Sequence, residues 1–376
     1  MTPSIGVGQV GYAFMGRSHS HAWRNVHRFF DLDLHPTMSV LCGRDEQAVA
    51  SAAGELGWAE HRTDWRELVE RDDIGIIDIC TPGSSHAEIA IAALEAGKHV
   101  LCEKPLANTV EEAERMAAAA QAARQRGVLS MVAFNYRRVP ALALAREVIG
   151  RGDLGRIHHV RAVYLQDWIV DPAFPLVWRL RADEAGSGAL GDIGAHIIDL
   201  AQFLLDDEIA GVSGLTETFV DERPLPDGDG TGPVTVDDAA AFVSRFREGA
   251  LGTFEASRFA TGRKNGLRIE VNGSEGSLVF DLERLNELEL YASADGDLAG
   301  FRRVLVTEET HPYLSAWWPP GHIIGWEHTF THEVADLLTA IATGTDVAPD
   351  FAAGLQVQRV LAAVQDSAEK GAWIDL

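Results

Sequence analysis

The sequence is poor in cysteine. Only Cys42, Cys80 and Cys102 occur among its 376 residues. Their odd number and their spacing fit neither a disulfide framework nor a zinc ribbon. Each cysteine ends a short apolar run, so we expect all three to pack as small hydrophobic side chains in a reducing compartment.

Basic residues are also scarce. Lys and Arg total 32 against 56 for Asp and Glu, giving a formal net charge of -24. Such a surface repels phosphate backbones and anionic lipids, so we expect neither nucleic acid nor a membrane as a partner. The chain also lacks an apolar run of ~20 residues and a basic N-terminal leader, which favours a cytoplasmic location.

The first third of the chain alternates predicted strands with predicted helices. The strands are expected at 5–10, 38–42, 74–80, 98–102 and 128–134, and the helices at 14–29, 46–56, 86–96 and 110–126. This alternation predicts βαβ units and a parallel sheet. Because one core stops growing at about 250–300 residues, we expect a first domain over residues 1–136 and a second over 137–376.

The pattern changes after residue 136. Helices are expected at 140–150, 188–205, 326–342 and 351–370, and strands at 157–170, 239–246, 250–257, 267–271 and 277–280. Residues 221–233 are rich in Pro, Gly and Asp, which predicts a loop. The overall fold class is therefore α/β, with a Rossmann sheet followed by an α+β domain whose open sheet is mostly antiparallel.

A glycine-rich turn joins the first strand to the first helix. Its residues are Gly11, Tyr12, Ala13, Phe14, Met15 and Gly16. In a dinucleotide-binding turn the first glycine permits the tight bend, the middle position lets the backbone approach a pyrophosphate, and the last glycine allows close packing of helix on strand. An ordinary glycine-rich turn is the alternative.

The end of the second strand indicates which dinucleotide binds. Dinucleotide-binding folds that use NAD carry an Asp or Glu there, on the ribose 2′-hydroxyl. This chain has Gly43 followed by Arg44, which favours the 2′-phosphate of NADP over NAD. Asp45 could still reach the ribose, and Arg44 could stack on the adenine or be a solvated surface residue.

Two further strand ends carry candidate cofactor residues. After the third strand come Thr81 and Pro82, expected beside the nicotinamide, and His86, which binds there or only begins a helix. After the fourth strand come Glu103, Lys104 and Pro105. A lysine at the end of a buried strand is costly unless it is paired or functional, and a surface ion pair on a loop is the alternative.

A glycine-rich segment leads into a predicted helix with three ionisable residues. Asp192, His196 and Asp199 are spaced i, i+4 and i+7, so one helical face is expected to carry them. A histidine beside carboxylates is an acid/base that titrates near neutral pH. In isolation, a satisfied core histidine is the simpler interpretation. His19 and His21 do not share a helical face, so we expect no metal site there.

These motifs, in this order, resemble the Gfo/Idh/MocA oxidoreductases over nearly the whole chain. The resemblance implies NAD(P)-dependent oxidation or reduction of carbohydrate or cyclitol hydroxyls, with Lys104, Asp192 and His196 as catalytic residues. It also implies a homodimer or homotetramer. Ala13 and Gly43 depart from the family pattern and bear on cofactor choice. The segments around Met15, Gln166 and Trp178 are most similar to levoglucosan and glucoside 3-dehydrogenase-like members.

The expected chemistry is hydride transfer from a pyranose hydroxyl carbon, with C3 as one candidate position. His196 is expected to be the general base, Lys104 to stabilise the alkoxide, and Asp192 to tune the pair. Substrate contacts are expected, beside His196, from Tyr136, Arg137, Gln166, Asp167, Trp168, Arg179 and His328, although the aromatic residues could equally be sheet-face packing. The alternatives are an inositol-type dehydrogenase, a non-catalytic NAD(P)-dependent sugar sensor, and a hydrolase that uses NAD transiently.

Overall fold

The computed structural model describes residues 2–376 and divides the chain into two compact units. The first unit comprises Met1–Arg138 and Gly325–Leu355, and the second comprises Val139–Ile324 and Gln356–Leu376. The expected ranges 1–136 and 137–376 do not separate Gly325–Leu355 from the rest of the C-terminal part. Each unit is described in turn.

A six-stranded sheet forms the centre of the first unit. Its strands are β1 (Ser4–Val10), β2 (His35–Cys42), β3 (Glu60–Arg62), β4 (Ile76–Ile79), β5 (His99–Cys102) and β6 (Ser130–Val132). All neighbours are parallel, in the order β3-β2-β1-β4-β5-β6. The order reverses between β1 and β4, which is where open α/β sheets bind their ligands. The predicted Rossmann sheet is confirmed.

Helices connect these strands and carry local start signals. They are α1 (Phe14–Phe29), α2 (Glu46–Leu56), α3 (Trp65–Glu70), α4 (His86–Glu95) and α5 (Val110–Arg124). Helix α5 begins with a capping box, in which Thr109 and Glu112 bond reciprocally to each other's backbone N–H. Such boxes satisfy two N–H groups that a helix otherwise leaves open.

A nine-stranded sheet dominates the second unit. Its strands and a separate hairpin are β7 (Ile157–Leu165), β8 (Ile209–Glu217), β9 (Glu222–Pro224), β10 (Thr231–Pro233), β11 (Ala239–Phe246), β12 (Leu251–Ser257), β13 (Gly266–Gly273), β14 (Gly276–Asp281), β15 (Glu287–Ala292), β16 (Arg302–Leu305) and β17 (Ile374–Asp375). The sheet order is β16-β15-β14-β13-β7-β12-β11-β8-β17. Strands β7 and β12 are parallel and the other neighbours antiparallel, as predicted.

The expected loop at residues 221–233 is wrong, because β9 and β10 pair there as a hairpin. The hairpin is anchored by Arg223, which is fully buried and donates hydrogen bonds to the carbonyl oxygens of Asp171 (2.8 Å) and Ile169 (2.6 Å). Those partners are about fifty positions away in the sequence. The long strand expected at 157–170 is also shorter, since β7 ends at Leu165.

The remaining helices are α6 (Pro140–Gly150), α7 (Ala182–Ala185), α8 (Ala195–Leu205), α9 (His328–Thr343) and α10 (Phe351–Lys370). Phe330, Val334 and Leu338 of α9 join the buried core of the first unit, together with Val7 and Trp23. Burial of these side chains holds α9 in the first unit, at roughly 1.5–3 kcal/mol per large apolar side chain.

One helical segment, Ala182–Leu205, is long and apolar enough to span a membrane by length and composition alone. Of its most apolar window, 83% is buried inside the protein. Core helices of globular proteins pass the same test, and this segment packs as one. The three cysteines are buried with free thiols, as expected.

Candidate active site

The turn between β1 and α1 has the geometry that a dinucleotide needs. Gly11 has φ +103°, and a Cβ there would lie 2.6 Å from the carbonyl oxygen of Cys80. A Cβ at Gly16 would lie 2.2 Å from the carbonyl oxygen of Gly11. Both positions therefore require glycine.

The N-terminus of α1 is suited to an anion. Ala13 precedes the helix, and within residues 2–376 no side chain caps it and no acidic residue lies in its first turn. Its first N–H groups are thus left for a ligand, and the helix dipole favours negative charge there. The turn and the helix end offer a place for the pyrophosphate of a dinucleotide, and contacts from Tyr12, Ala13, Phe14 and Met15 to a cofactor stay a prediction.

Gln9 supports this turn and was not identified from the sequence. Its side chain is fully buried, and its Nε2 donates to the carbonyl oxygens of Gly11 and Gly16, each at 2.9 Å. The bonds tie the strand, the turn and the helix together. A polar residue near the buried end of the strand, between Gly8 and Val10, was the available signal.

At the ribose position the backbone of Gly43 lies under the ring of Tyr12. A Cβ at Gly43 would lie 2.0 Å from that ring, so an acidic side chain cannot be placed there without displacing it. Asp45 caps α2 by accepting a hydrogen bond from the backbone N–H of Ala48 at 2.8 Å. Arg44 is exposed.

His86 supports the loops that follow β4 and β5. It is 1% exposed, and its ring nitrogens lie 2.9 Å from the carbonyl oxygen of Thr81 and 3.1 Å from that of Pro105. Burial lowers the pKa of His86, and the bonds to these backbone carbonyl oxygens oppose that shift. Burial and these backbone contacts assign His86 a supporting position beside Thr81 and Pro82.

Glu103 and Lys104 differ in exposure. Glu103 is 4% exposed; its Oε2 accepts the backbone N–H of Lys104 at 3.0 Å, and its Oε1 lies 3.0 Å from Nε2 of His19. Lys104 is half-buried. Glu103 therefore acts on the backbone that carries Lys104 through a direct hydrogen bond.

In the second unit, Asp192 lies in a π-helical turn, Leu190–Gly194, directly before α8. His196 and Asp199 lie on α8 and are buried. π-helical turns occur often at functional sites. This turn changes the helical phase between Asp192 and His196, which the simple i, i+4 spacing did not include.

Asp237 and Arg258 hold this segment in place. Asp237 accepts the backbone N–H groups of Gly188 at 2.7 Å and Leu190 at 2.8 Å. Arg258 is fully buried, and its guanidinium lies 3.5 Å from Oδ2 of Asp192 and 5.4 Å from the ring centre of Trp168. Sequence reasoning missed both residues, since each simply borders a strand.

A row of polar side chains lies at the end of β7 and the start of β13. Asn265 Oδ1 accepts the hydroxyl of Tyr164 at 2.7 Å and Nε2 of Gln166 at 2.8 Å. The indole N–H of Trp168 donates to Oε1 of Gln166 at 3.0 Å. The ring of Tyr164 also lies 5.9 Å from that of His196. The structure therefore brings Gln166, Trp168 and His196 together and adds Tyr164 and Asn265.

Two other expected substrate residues in this unit have different partners. Asp167 accepts from Lys264 at 2.7 Å, and this bond, with the N–H of Gly262, lowers the pKa of Asp167. The guanidinium of Arg179 lies 4.3 Å from the ring centre of Trp178. Neither joins the row formed by Tyr164, Gln166, Trp168 and Asn265.

The other three expected substrate residues belong to the first unit. Tyr136 is 4% exposed and Arg137 is half-buried. His328 begins α9, its Nδ1 accepts the backbone N–H of Gly325 at 3.1 Å, and burial lowers its pKa. A neutral His328 can both donate and accept a hydrogen bond.

One group could hold a metal ion by position, namely His19, Asp78 and Cys80, whose ligand atoms lie within 4.8 Å of one another. Both ring nitrogens of His19 already face carboxylate oxygens, of Asp78 and Glu103. This arrangement favours a hydrogen-bonded charge network over metal coordination.

Two domain families match successive parts of the chain. The family described as "Oxidoreductase family, NAD-binding Rossmann fold" matches residues 5–134, and the "GFO/IDH/MocA C-terminal domain" matches residues 142–279. A levoglucosan dehydrogenase from Pseudarthrobacter phenanthrenivorans is 44% identical over 99% of this chain and 98% of its own length. A myo-inositol 2-dehydrogenase from Thermotoga maritima is 28% identical over 73% of this chain and 75% of its own length.

Solved structures agree with these sequence relatives. An oxidoreductase domain protein from Kribbella flavida has a TM-score of 0.97 and 64% identity, with 99% of each chain covered. A levoglucosan dehydrogenase in complex with NADH and levoglucosan has a TM-score of 0.95 and 44% identity, again over 99% of each chain.

Proposed function

The chain belongs to the Gfo/Idh/MocA family of NAD-binding oxidoreductases, and from this premise we propose that it is a dehydrogenase of pyranose sugars. Levoglucosan and related glucosides are the proposed substrates. The observation that carries the proposal is the row of Tyr164, Gln166, Trp168 and Asn265 beside His196. An indole stacks on the apolar face of a pyranose, while amide and phenol groups bind its hydroxyls.

The proposed roles follow from the chemistry of each side chain. His196 removes the proton of the sugar hydroxyl as general base. The ammonium group of Lys104 stabilises the negative charge that develops on the oxygen, and Asp192 orients the pair. Bound NAD supplies the hydride acceptor. Lys104 belongs to the first unit and His196 to the second, so their joint action on one hydroxyl is itself part of the proposal.

Arg258 supports the role assigned to Asp192. The guanidinium of Arg258 is fully buried and lies 3.5 Å from the Asp192 carboxylate, so it can hold that carboxylate in a fixed orientation. The same guanidinium lies near the face of Trp168, so one residue contacts both the proposed orienting group and the proposed stacking surface. Tyr136, Arg137, Asp167, Arg179 and His328 stay proposed substrate contacts.

The proposal is tested by the absorbance of reduced nicotinamide. Purified protein is mixed with NAD or NADP and with levoglucosan, glucose, an aryl glucoside, xylose or myo-inositol. We expect steady reduction with a pyranose, and faster reduction than with myo-inositol. Tight NAD binding without turnover on any of these compounds would instead favour a sugar sensor, and turnover on myo-inositol alone would favour an inositol dehydrogenase.

Cofactor preference is a separate proposal. The sequence-based preference for NADP has no support among the relatives, one of which binds NADH, and it stays a prediction. Because Arg44 is exposed next to Gly43, we propose that its guanidinium contacts the 2′ substituent of the cofactor's adenosine ribose. Arg44→Ala should lower kcat/KM for NADP by about tenfold and leave kcat/KM for NAD nearly unchanged. An unchanged ratio of the two values would show that Arg44 does not contact the ribose.

We propose that the protein is cytoplasmic and that it forms a homo-oligomer. The proposed interface is the solvent-exposed face of the nine-stranded sheet. Leu215, Val243 and Leu251 lie on the neighbouring strands β8, β11 and β12 and are 72%, 48% and 42% exposed. Adjoining exposed apolar residues often mark an interface.

Val243→Glu should shift the mass measured by light scattering toward the monomer. Leu298→Glu, at an exposed position outside the sheet, is the control, and equal masses for both variants would contradict the proposal.

A further inference from the structure

A buried ion cluster lies beneath the Glu103–Lys104 turn. His19 of α1 is 1% exposed and sits between two buried carboxylates. Its Nδ1 lies 2.9 Å from Oδ1 of Asp78, and its Nε2 lies 3.0 Å from Oε1 of Glu103. Each of these contacts must hold one proton, because two lone pairs at this distance repel each other.

The other partners of the two carboxylates decide where those protons reside. Asp78 also accepts the indole N–H of Trp23 at 2.7 Å and the thiol of Cys80 at 3.6 Å. The thiol remains protonated, because burial and the neighbouring Asp78 raise the pKa of Cys80. Glu103 also accepts the backbone N–H of Lys104. Trp23, Cys80 and the backbone N–H of Lys104 all donate to these carboxylates, which therefore act as acceptors toward their other partners, and we assign both bridging protons to the imidazole ring.

The surrounding charges agree with an imidazolium ion. Burial alone would lower the pKa of His19, but the Asp78 carboxylate raises it well above the usual value. From α9, Glu333 is also buried, and burial raises its pKa to about 8, so it adds little negative charge at neutral pH. The titratable groups that face His19 are therefore Asp78 within β4, Cys80 after β4, Glu103 after β5, and Glu333 of α9.

We propose that His19 is a positioning residue whose imidazolium ring bridges Asp78 and Glu103 and thereby fixes the backbone of Lys104 relative to α1. The same helix carries the proposed dinucleotide-binding turn at its N-terminus. The bridge thus connects cofactor binding and the proposed alkoxide-stabilising lysine within one unit. This inference rests on the proposed function only for the role of Lys104.

The first test needs no variant and no sugar. In protein labelled with 15N-histidine, NMR should show one histidine whose two ring nitrogens both stay protonated above pH 8, where ordinary histidines are neutral. Its signal should be absent from the spectrum of His19→Gln. If all histidines are singly protonated at that pH, the bridge does not exist, whether or not the protein oxidises sugars.

The second test separates positioning from folding. In His19→Gln the amide can donate to Asp78, but its oxygen then faces Glu103, which must take up a proton to be satisfied. Sugar oxidation should fall by about tenfold or more in kcat, with little change in NAD affinity. Measured from pH 6 to pH 9, activity relative to the unchanged protein should fall further as pH rises, because a negatively charged Glu103 then has no cationic partner.

Two further variants make this result specific. Adding Glu103→Gln to His19→Gln removes the Glu103 carboxyl group, so the ratio of variant to wild-type kcat should not depend on pH between pH 6 and pH 9. His27→Gln, on the same helix but without a carboxylate contact, should behave like the unchanged protein. If His19→Gln only lowers thermal stability, with kcat and its pH profile unchanged, His19 is a structural residue and the proposal is wrong.

Discussion

Replacing His196 with Asn, or Lys104 with Met, is expected to lower kcat for sugar oxidation by about 10²–10⁴-fold while NAD still binds. His196→Asn removes the base that takes the hydroxyl proton. Lys104→Met removes the cation that stabilises the alkoxide but keeps an unbranched side chain only one atom shorter. Steady-state kinetics give kcat, and quenching of protein fluorescence by NAD gives its affinity.

The controls are exposed residues of the same types. His158→Asn on β7 and Lys370→Met on α10 should leave kcat unchanged, since both positions lie at the surface. Circular dichroism checks that each variant is folded. Turnover close to that of the unchanged protein in either His196→Asn or Lys104→Met would remove that residue from the mechanism.

Gly11→Ala is expected to abolish tight NAD binding and to lower the melting temperature. The new Cβ would lie 2.6 Å from the backbone oxygen of Cys80, which belongs to the neighbouring strand end and cannot move aside alone. The residue also has φ +103°, which costs a non-glycine residue about 1–2 kcal/mol. Titration calorimetry with NAD and thermal unfolding measure the two effects.

Gly97→Ala is the matched control for the stability that is lost through the positive φ alone. Gly97 has φ +81°, and no described atom outside its immediate surroundings lies within 4 Å of the position of an added Cβ. This variant should lose only the stability that the positive φ accounts for, and it should bind NAD normally. Equal destabilisation of both variants together with normal NAD binding by Gly11→Ala would contradict the assignment of the turn.

Features set by local sequence were predicted closely. Helices α1 and α2 have the predicted bounds, Phe14–Phe29 and Glu46–Leu56, because local features mark where they begin: the glycine-rich turn before α1 and the capping residue Asp45 before α2. The order of strands and helices in the N-terminal part followed from the same signals, except for β3 and α3, which were not predicted. The glycine-rich turn was recognised because its glycines perform a local steric function.

Features that depend on distant partners were not predicted. The hairpin of β9 and β10 forms in a Pro- and Gly-rich segment because the buried Arg223 bonds to carbonyl groups far away in the sequence. Asn265 was not singled out from the sequence, because its partners Tyr164 and Gln166 lie about a hundred positions away. His19 was considered only as a metal ligand, since its partners Asp78 and Glu103 lie 59 and 84 positions away.

The second unit shows how a local deviation changes a predicted face. The spacing of Asp192 and His196 fits a regular α-helix, but Asp192 lies in a π-helical turn and bonds to Arg258. A tertiary contact of this kind overrides helical periodicity. The role proposed for Asp192 therefore depends on Arg258 as well as on the spacing from His196.

The most direct test of the central claim follows a single hydride. Levoglucosan that carries deuterium at C3 is incubated with the protein and NAD, and the reduced cofactor is analysed by mass spectrometry and NMR. The account predicts that deuterium appears on the nicotinamide ring in a one-to-one ratio with oxidised sugar. Oxidised or cleaved sugar without deuterium in the cofactor would contradict direct hydride transfer from that carbon.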